Sequence, residues 1–126
     1  MQSFKVYQIV PSKVEIDDFN KGITSPRVEA RRNMGMFFDN YELANETADM
    51  LRQGLYDYVA DIEAKDLEDA FYRGNDITSH VDHIKVHGHS MMSVSMGDIL
   101  EDESGELFVV AQWGFFSLTS RMNKAA

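Results

Sequence analysis

The chain has no cysteine. That excludes disulfides, thiolate nucleophiles and every cysteine-held zinc or iron–sulfur centre, and it fits a reducing compartment. Proline is scarce, with two in 126 residues, and the eight glycines stand singly. There is therefore no Pro/Gly-rich linker and no Gly-rich loop to cradle a phosphate. No apolar run approaches the length of a membrane helix. The opening MQSFKVYQIVPSK lacks a basic leader and a small-residue cleavage site, so it does not read as a signal peptide. A soluble cytoplasmic protein is expected, with no membrane partner.

Basic residues are scarce where acidic ones are dense. Residues 1–40 hold six Lys/Arg against five Asp/Glu, whereas residues 41–126 hold six against sixteen. The net charge of −9 belongs to the last two thirds. Direct binding of nucleic acid needs clustered cations, and Arg27, Arg31 and Arg32 are the best local group. It is small, so direct nucleic-acid binding is not expected. An acidic surface suits solubility, and it also suits a basic protein partner.

What is present reads as one folded unit over 1–126, with 121–126 a flexible tail. Phe4–Val10 alternates as a strand ended by Pro11. Ser12 and Glu15 have capping-box spacing before a short helix, with Val14, Ile16 and Phe19 on its apolar side and Gly22 as its stop. Residues 23–40 give no clear assignment beyond a helical turn after Pro26. Asp39 or Asn40 caps a helix carrying Leu43, Thr47, Met50 and Leu51 at helical spacing. Leu55, Tyr56, Val59 and Ile62 fit a strand, Asp66 caps a second clear helix ending near Gly74, and 81–87 reads as a further strand.

The stretch HSMMSVSMGDILEDESGELFVVAQWGF has the most grammar. GDILED and LFVVAQW form an antiparallel hairpin about an acidic turn in which Gly105 is free to take positive φ. Met92, Val94 and Met96 alternate with serines as a strand would. FFSL closes the sheet, and Trp113, Phe115 and Phe116 are expected in the core. The fold class is α+β: a mostly antiparallel sheet with two or three short helices.

Chemistry has three possible seats. His80, His83, His87 and His89 lie within ten residues. On a strand His83 and His87 share a face, and His89 continues the line, which suggests a metal site with Asp82 or Asp98 as an oxygen ligand. Their Cβ atoms would lie roughly 13 Å apart, too far for one ion without a bend. No metal or cofactor is therefore expected, and a histidine-based metal or small-molecule enzyme is the second reading. Ser90, Ser93 and Ser95 beside these histidines lack any G-x-S-x-G elbow. Carboxylates are abundant: Asp17/Asp18, Asp57/Asp61, Asp66/Glu68/Asp69 and Asp98/Glu101/Asp102/Glu103. Side chains 42, 46, 49, 57, 61, 63, 66, 68 and 69 come from two helices and the strand between them. If these elements are adjacent, their outer faces present regularly spaced carboxylates, and a spacing like that of phosphates would make them a DNA mimic.

LYDYVADIEAKDLEDAFYRGN followed by MSVSMGDILEDESGELFVVAQWGFFSL resembles a group of short accessory proteins of tailed bacteriophages. The closing segment also resembles YodL-like domains in its Ser-rich turn, strand and final Gly-Phe. The resemblance covers roughly residues 55–118; MMSVSMGD carries an extra Met-Ser. It implies an accessory protein acting in a host cytoplasm and implies no reaction. The first reading is thus a non-enzymatic binder of a host protein with a basic or nucleic-acid-binding surface. Asp57, Asp61, Glu63, Glu68, Glu101, Asp102 and Glu103 are its candidate contacts. A homodimer is compatible with the aromatic content.

Overall fold

Phe4, Val6 and Gln8 alternate with Ser3, Lys5 and Tyr7, and the first strand keeps that period. The structure, a computed structural model, describes residues 1–36, 39–88 and 91–123. Strand β1 (Gln2–Gln8) is followed by helices α1 (Lys13–Asn20), α2 (Pro26–Asn33) and α3 (Asn40–Arg52). Next come β2 (Asp57–Ala64), α4 (Leu67–Asn75), β3 (Ile84–Val86), β4 (Ile99–Glu101), β5 (Leu107–Val110), β6 (Phe115–Ser117) and α5 (Thr119–Asn123). The six strands form one sheet in the order β3-β2-β1-β4-β5-β6, antiparallel at every pairing. This is the α+β architecture expected from the sequence.

Two cores lie on opposite faces of the sheet. On one, Phe4, Val6, Ala60, Ile62, Ala64, Leu100 and Val110 pack with Ala70 of α4 and with Val94. On the other, Ile99 and Val109 pack with Leu43, Ala44 and Met50 of α3, with Leu118 and with Met34. Each fully buried aliphatic or aromatic side chain contributes roughly 1.5–3 kcal/mol. The second core covers only the β4–β6 half of its face. The β1–β3 half on that side is left open and polar.

Local chemistry explains the helix starts. Ser12 accepts from the Glu15 backbone N–H at 3.1 Å, and Glu15 accepts from the Ser12 N–H at 3.1 Å, completing the capping box. Asp39 caps α3, accepting from the Tyr41 N–H at 2.7 Å. Asp66 caps α4 through the Asp69 N–H at 2.8 Å, while Asp69 accepts from the Lys65 N–H at 2.9 Å.

Several expectations need correction. Val14, Ile16 and Phe19 do not turn into a core: α1 buries no residue, and all three are exposed. The strand expected over 81–87 begins only at Ile84, because Val81–His83 is a 3-10 turn in which the His83 N–H donates to the His80 carbonyl at 2.9 Å. Residues 91–96 are not a strand despite their alternation. Their backbone is satisfied elsewhere: the Met92 N–H donates to the Gln8 side chain at 3.0 Å and the Val94 N–H to the Gly74 carbonyl at 3.0 Å. Trp113 is 81% exposed rather than buried, while Phe115 and Phe116 are half-buried. Residues 121–123, expected in a flexible tail, belong to α5, and 124–126 lie outside the described residues.

Candidate binding surface

The hairpin is the part the sequence describes best. Ile99 opposes Val109, Leu100 opposes Phe108 and Glu101 opposes Leu107. Asp102 builds the turn, accepting from the Ser104 N–H at 2.9 Å, the Ser104 hydroxyl at 2.6 Å and the Glu106 N–H at 3.0 Å. Those bonds, the Ser104 hydroxyl foremost, hold its carboxyl below the ordinary range. Gly105 has φ +87°, the left-handed value the turn needs.

Gly97-Asp98 is a packing device. Gly97 has φ +92°, and a Cβ there would lie 2.2 Å from Met34 Cγ. Its carbonyl accepts from the buried Tyr56 hydroxyl at 2.6 Å. Asp98 is 2% exposed. Its Oδ2 accepts from Gln8 Nε2 at 3.0 Å and the Ser95 N–H at 2.9 Å, and Arg31 lies 3.8 Å from its Oδ1. Burial raises its pKa to about 6 against these hydrogen bonds and the Arg31 charge. Ser95 serves through its backbone here, and none of these partners is a histidine, so among the described residues no serine triad is built on Asp98.

The open half-sheet gathers several of the candidate carboxylates. Lys5 on β1 opposes Asp61 on β2 and Glu101 on β4, and Asp61 opposes Lys85 on β3. One row across four strands therefore reads Lys85, Asp61, Lys5, Glu101, alternating in charge. Opposite charges facing across strands stabilise a sheet by roughly 0.2–1 kcal/mol per pair. The next row holds Glu63 opposite Ser3, and Glu103 reaches in from the turn to accept from the Ser3 N–H at 2.7 Å. Ser3, Lys5, Glu101, Asp102 and Glu103 line a cleft of ≈ 460 Å³.

Aromatic rings lie among these charges. Between Val6 and Tyr7 the β1–β2 register slips, leaving Val59 as an extra residue and turning Tyr58 onto the open face beside Tyr7. Their ring centroids are 5.5 Å apart, and the His87 ring meets that of Tyr58 at 4.8 Å, tilted by 55°. Lys5 Nζ sits 5.6 Å from the Tyr58 centroid, in cation–π range. Tyr7 donates to Glu101 at 2.5 Å, and Tyr58 donates to Asp61. His87 Nε2 lies 2.7 Å from Asp61 Oδ2. Desolvation and the bond to Asp61 push Tyr58 up to about 12, and desolvation and Glu101 raise Tyr7 as well, so both remain neutral donors at pH 7. Burial acts to raise the pKa of Asp61, but the Tyr58 and His87 bonds outweigh it and hold the carboxyl low.

The other candidates lie elsewhere. Asp57 is at the far end of β2, 3.5 Å from Arg27. Glu68 is exposed on α4, across the sheet. Because α3 and α4 lie on opposite faces, their acidic residues do not merge into one array. Arg27 also meets Glu15 at 3.7 Å, and Arg32 meets Glu29 at 3.1 Å, so the small arginine group is engaged by the chain's own carboxylates.

The three described histidines do not converge. His80 packs edge-on against Tyr72, His83 ends a 3-10 turn, His87 binds Asp61, and His89 lies outside the described residues. Among the described residues no three His, Asp or Glu side chains are placed to share a metal ion. Sequence reasoning missed the two tyrosines; their place on the face depends on the Val59 bulge, which no local pattern announces. Among the described residues, no helix is long and apolar enough to cross a membrane. Compared with protein families, with curated proteins and with solved structures, the chain finds no match.

Proposed function

We propose that this is a small acidic accessory protein, of the kind tailed bacteriophages encode, that binds a basic or nucleic-acid-handling protein of the host. One observation carries the reading. Asp61, Glu63, Glu101 and Glu103 from two strands and a turn converge on a sheet face that no helix of the described residues covers, around two tyrosines. Four carboxylates face two lysines there, so the face attracts cations while its aromatic rings supply contact area at low entropic cost. Nothing in this reading requires bond chemistry.

The test is capture of host proteins by the tagged chain at low and at high salt, with the Glu63→Lys/Glu103→Lys double variant beside it. The expected result is a captured basic protein released by salt and lost with the double variant, while His87→Ala still captures it. Equal capture by the double variant, or a bare lane in both salts, overturns the reading.

A further inference from the structure

Across the sheet from that face lies a second surface that the proposal does not use. Two hollows flank the first turns of α4, one of ≈ 410 Å³ and one of ≈ 220 Å³. They share Glu68 and Phe115 and so form one trough. Its floor is apolar: Phe4 and Phe108 from the strands, Leu67 and Phe71 from α4, and Phe115, whose ring meets that of Phe71 edge-on at 6.3 Å. Its rim is acidic, with Asp66, Glu68 and Asp102, and among the described residues no Lys or Arg lines either hollow. Gln112 and Gly114 close one end, and between them in the chain stands Trp113, 81% exposed.

An apolar trough with a single-sign rim excludes acidic occupants and leaves a neutral one unaided. A large indole held in water beside it is costly unless it gains a partner, and Trp is the residue most often found to anchor protein interfaces. We infer that this trough is the seat of a short cationic segment of a partner protein. Its bulky apolar side chains enter between Phe108, Phe115 and Phe71, its Lys or Arg residues meet Glu68, and Trp113 closes over it. The inference rests on the reading above that the chain binds a cationic protein, and it adds a contact on the opposite face.

Trp113 is the only tryptophan, so its emission reports on this place alone. The intact protein is titrated with synthetic peptides of about a dozen residues, a length that suits groove recognition. The probes are a Lys/Leu amphipathic peptide, a Lys/Gly peptide of equal charge, and a Glu/Leu peptide. Binding of the Lys/Leu peptide with a blue shift of Trp113 is expected, with no shift for the other two. By anisotropy of the labelled peptide, Glu68→Lys or Trp113→Ala weakens binding about tenfold or more, the scale of an interface hot spot. Glu63→Lys/Glu103→Lys leaves it unchanged. No shift with the Lys/Leu peptide, or equal binding of the Lys/Gly peptide, overturns the trough. So does wild-type affinity in the Glu68 and Trp113 variants. If the Glu63/Glu103 variant alone loses the peptide, the trough falls while charge-driven binding at the open half-sheet stands.

Discussion

Asp98 is a carboxylate in an interior position, and the pH dependence of the fold follows from it. Its pKa rises from the ordinary 3.8 to about 6 on folding, so the native state holds that proton more tightly than the unfolded chain does. Between those two values the group makes the fold less stable as pH rises, by an amount on the order of 3 kcal/mol when complete. The depressed carboxyls Asp61, Asp69 and Asp102 act in the other direction, and their stabilisation is lost only as pH falls below the unfolded range near 3.8. Denaturant melts from pH 5 to 7, above the range in which the depressed carboxyls titrate, should show stability declining toward neutral pH, and Asp98→Asn should flatten that decline. An unchanged slope in the variant rules out Asp98 as its source. Trp113→Ala, by contrast, should move stability by less than about 0.5 kcal/mol, as exposed substitutions do, and a larger loss would mean the indole is packed.

Two glycines are fixed by what packs against them. Gly74 sits inside α4, where Ala ordinarily gains about 1 kcal/mol over Gly. Here a Cβ would lie 2.4 Å from Val94 Cγ2 and 2.9 Å from Ile62 Cδ1. Gly74→Ala should therefore destabilise, by roughly 1–3 kcal/mol, the usual cost of overpacking, and thermal unfolding measures it directly. Gly97→Ala combines strain at φ +92° with the Met34 clash and should cost more than Gly74→Ala in the same assay.

At this scale much of the fold is legible in the sequence. The Ser12/Glu15 box, the Asp66 cap and the hairpin about Gly105 are written within a few residues, and each stands where it is expected. The failures share a cause. Residues 91–96 alternate like a strand, yet their hydrogen bonds go to Gln8 and to Gly74, which lie far off in sequence. His83 falls in a turn closed by His80. Trp113 has the composition of a core residue and the position of a turn residue. Of the binding surface, the carboxylates were legible by type, but their sorting into two faces was not, because that depends on which strands pair.

For the whole molecule, acidity is divided rather than pooled. The sheet separates the Glu63–Glu103 side from the Glu68 side, and the two meet only at its edge, where Asp102 lines a hollow on each. Raising salt from low to physiological should weaken capture of a cationic partner at the open face, since exposed charges are screened beyond about 8 Å at 0.15 M. At the trough, where apolar contact shares the load, the loss should be smaller. Comparing the salt slopes of Glu63→Lys/Glu103→Lys and Glu68→Lys separates the two; equal slopes would mean one surface, not two.

Strand β1 is the first segment of the described chain, yet it sits in the middle of the sheet between β2 and β4. Lys5 opposes Asp61 on one side and Glu101 on the other. During synthesis it leaves the ribosome long before either neighbour exists, and it must wait with both edges bare. Pairings at such separation raise the contact order and slow folding relative to a chain of local contacts. Without β1 the remaining strands fall into two sets, β2–β3 and β4–β6, with no hydrogen-bonded ladder between them. The two sets are zipped together through β1, so neither face of the sheet is whole until the residues of β4 have been made.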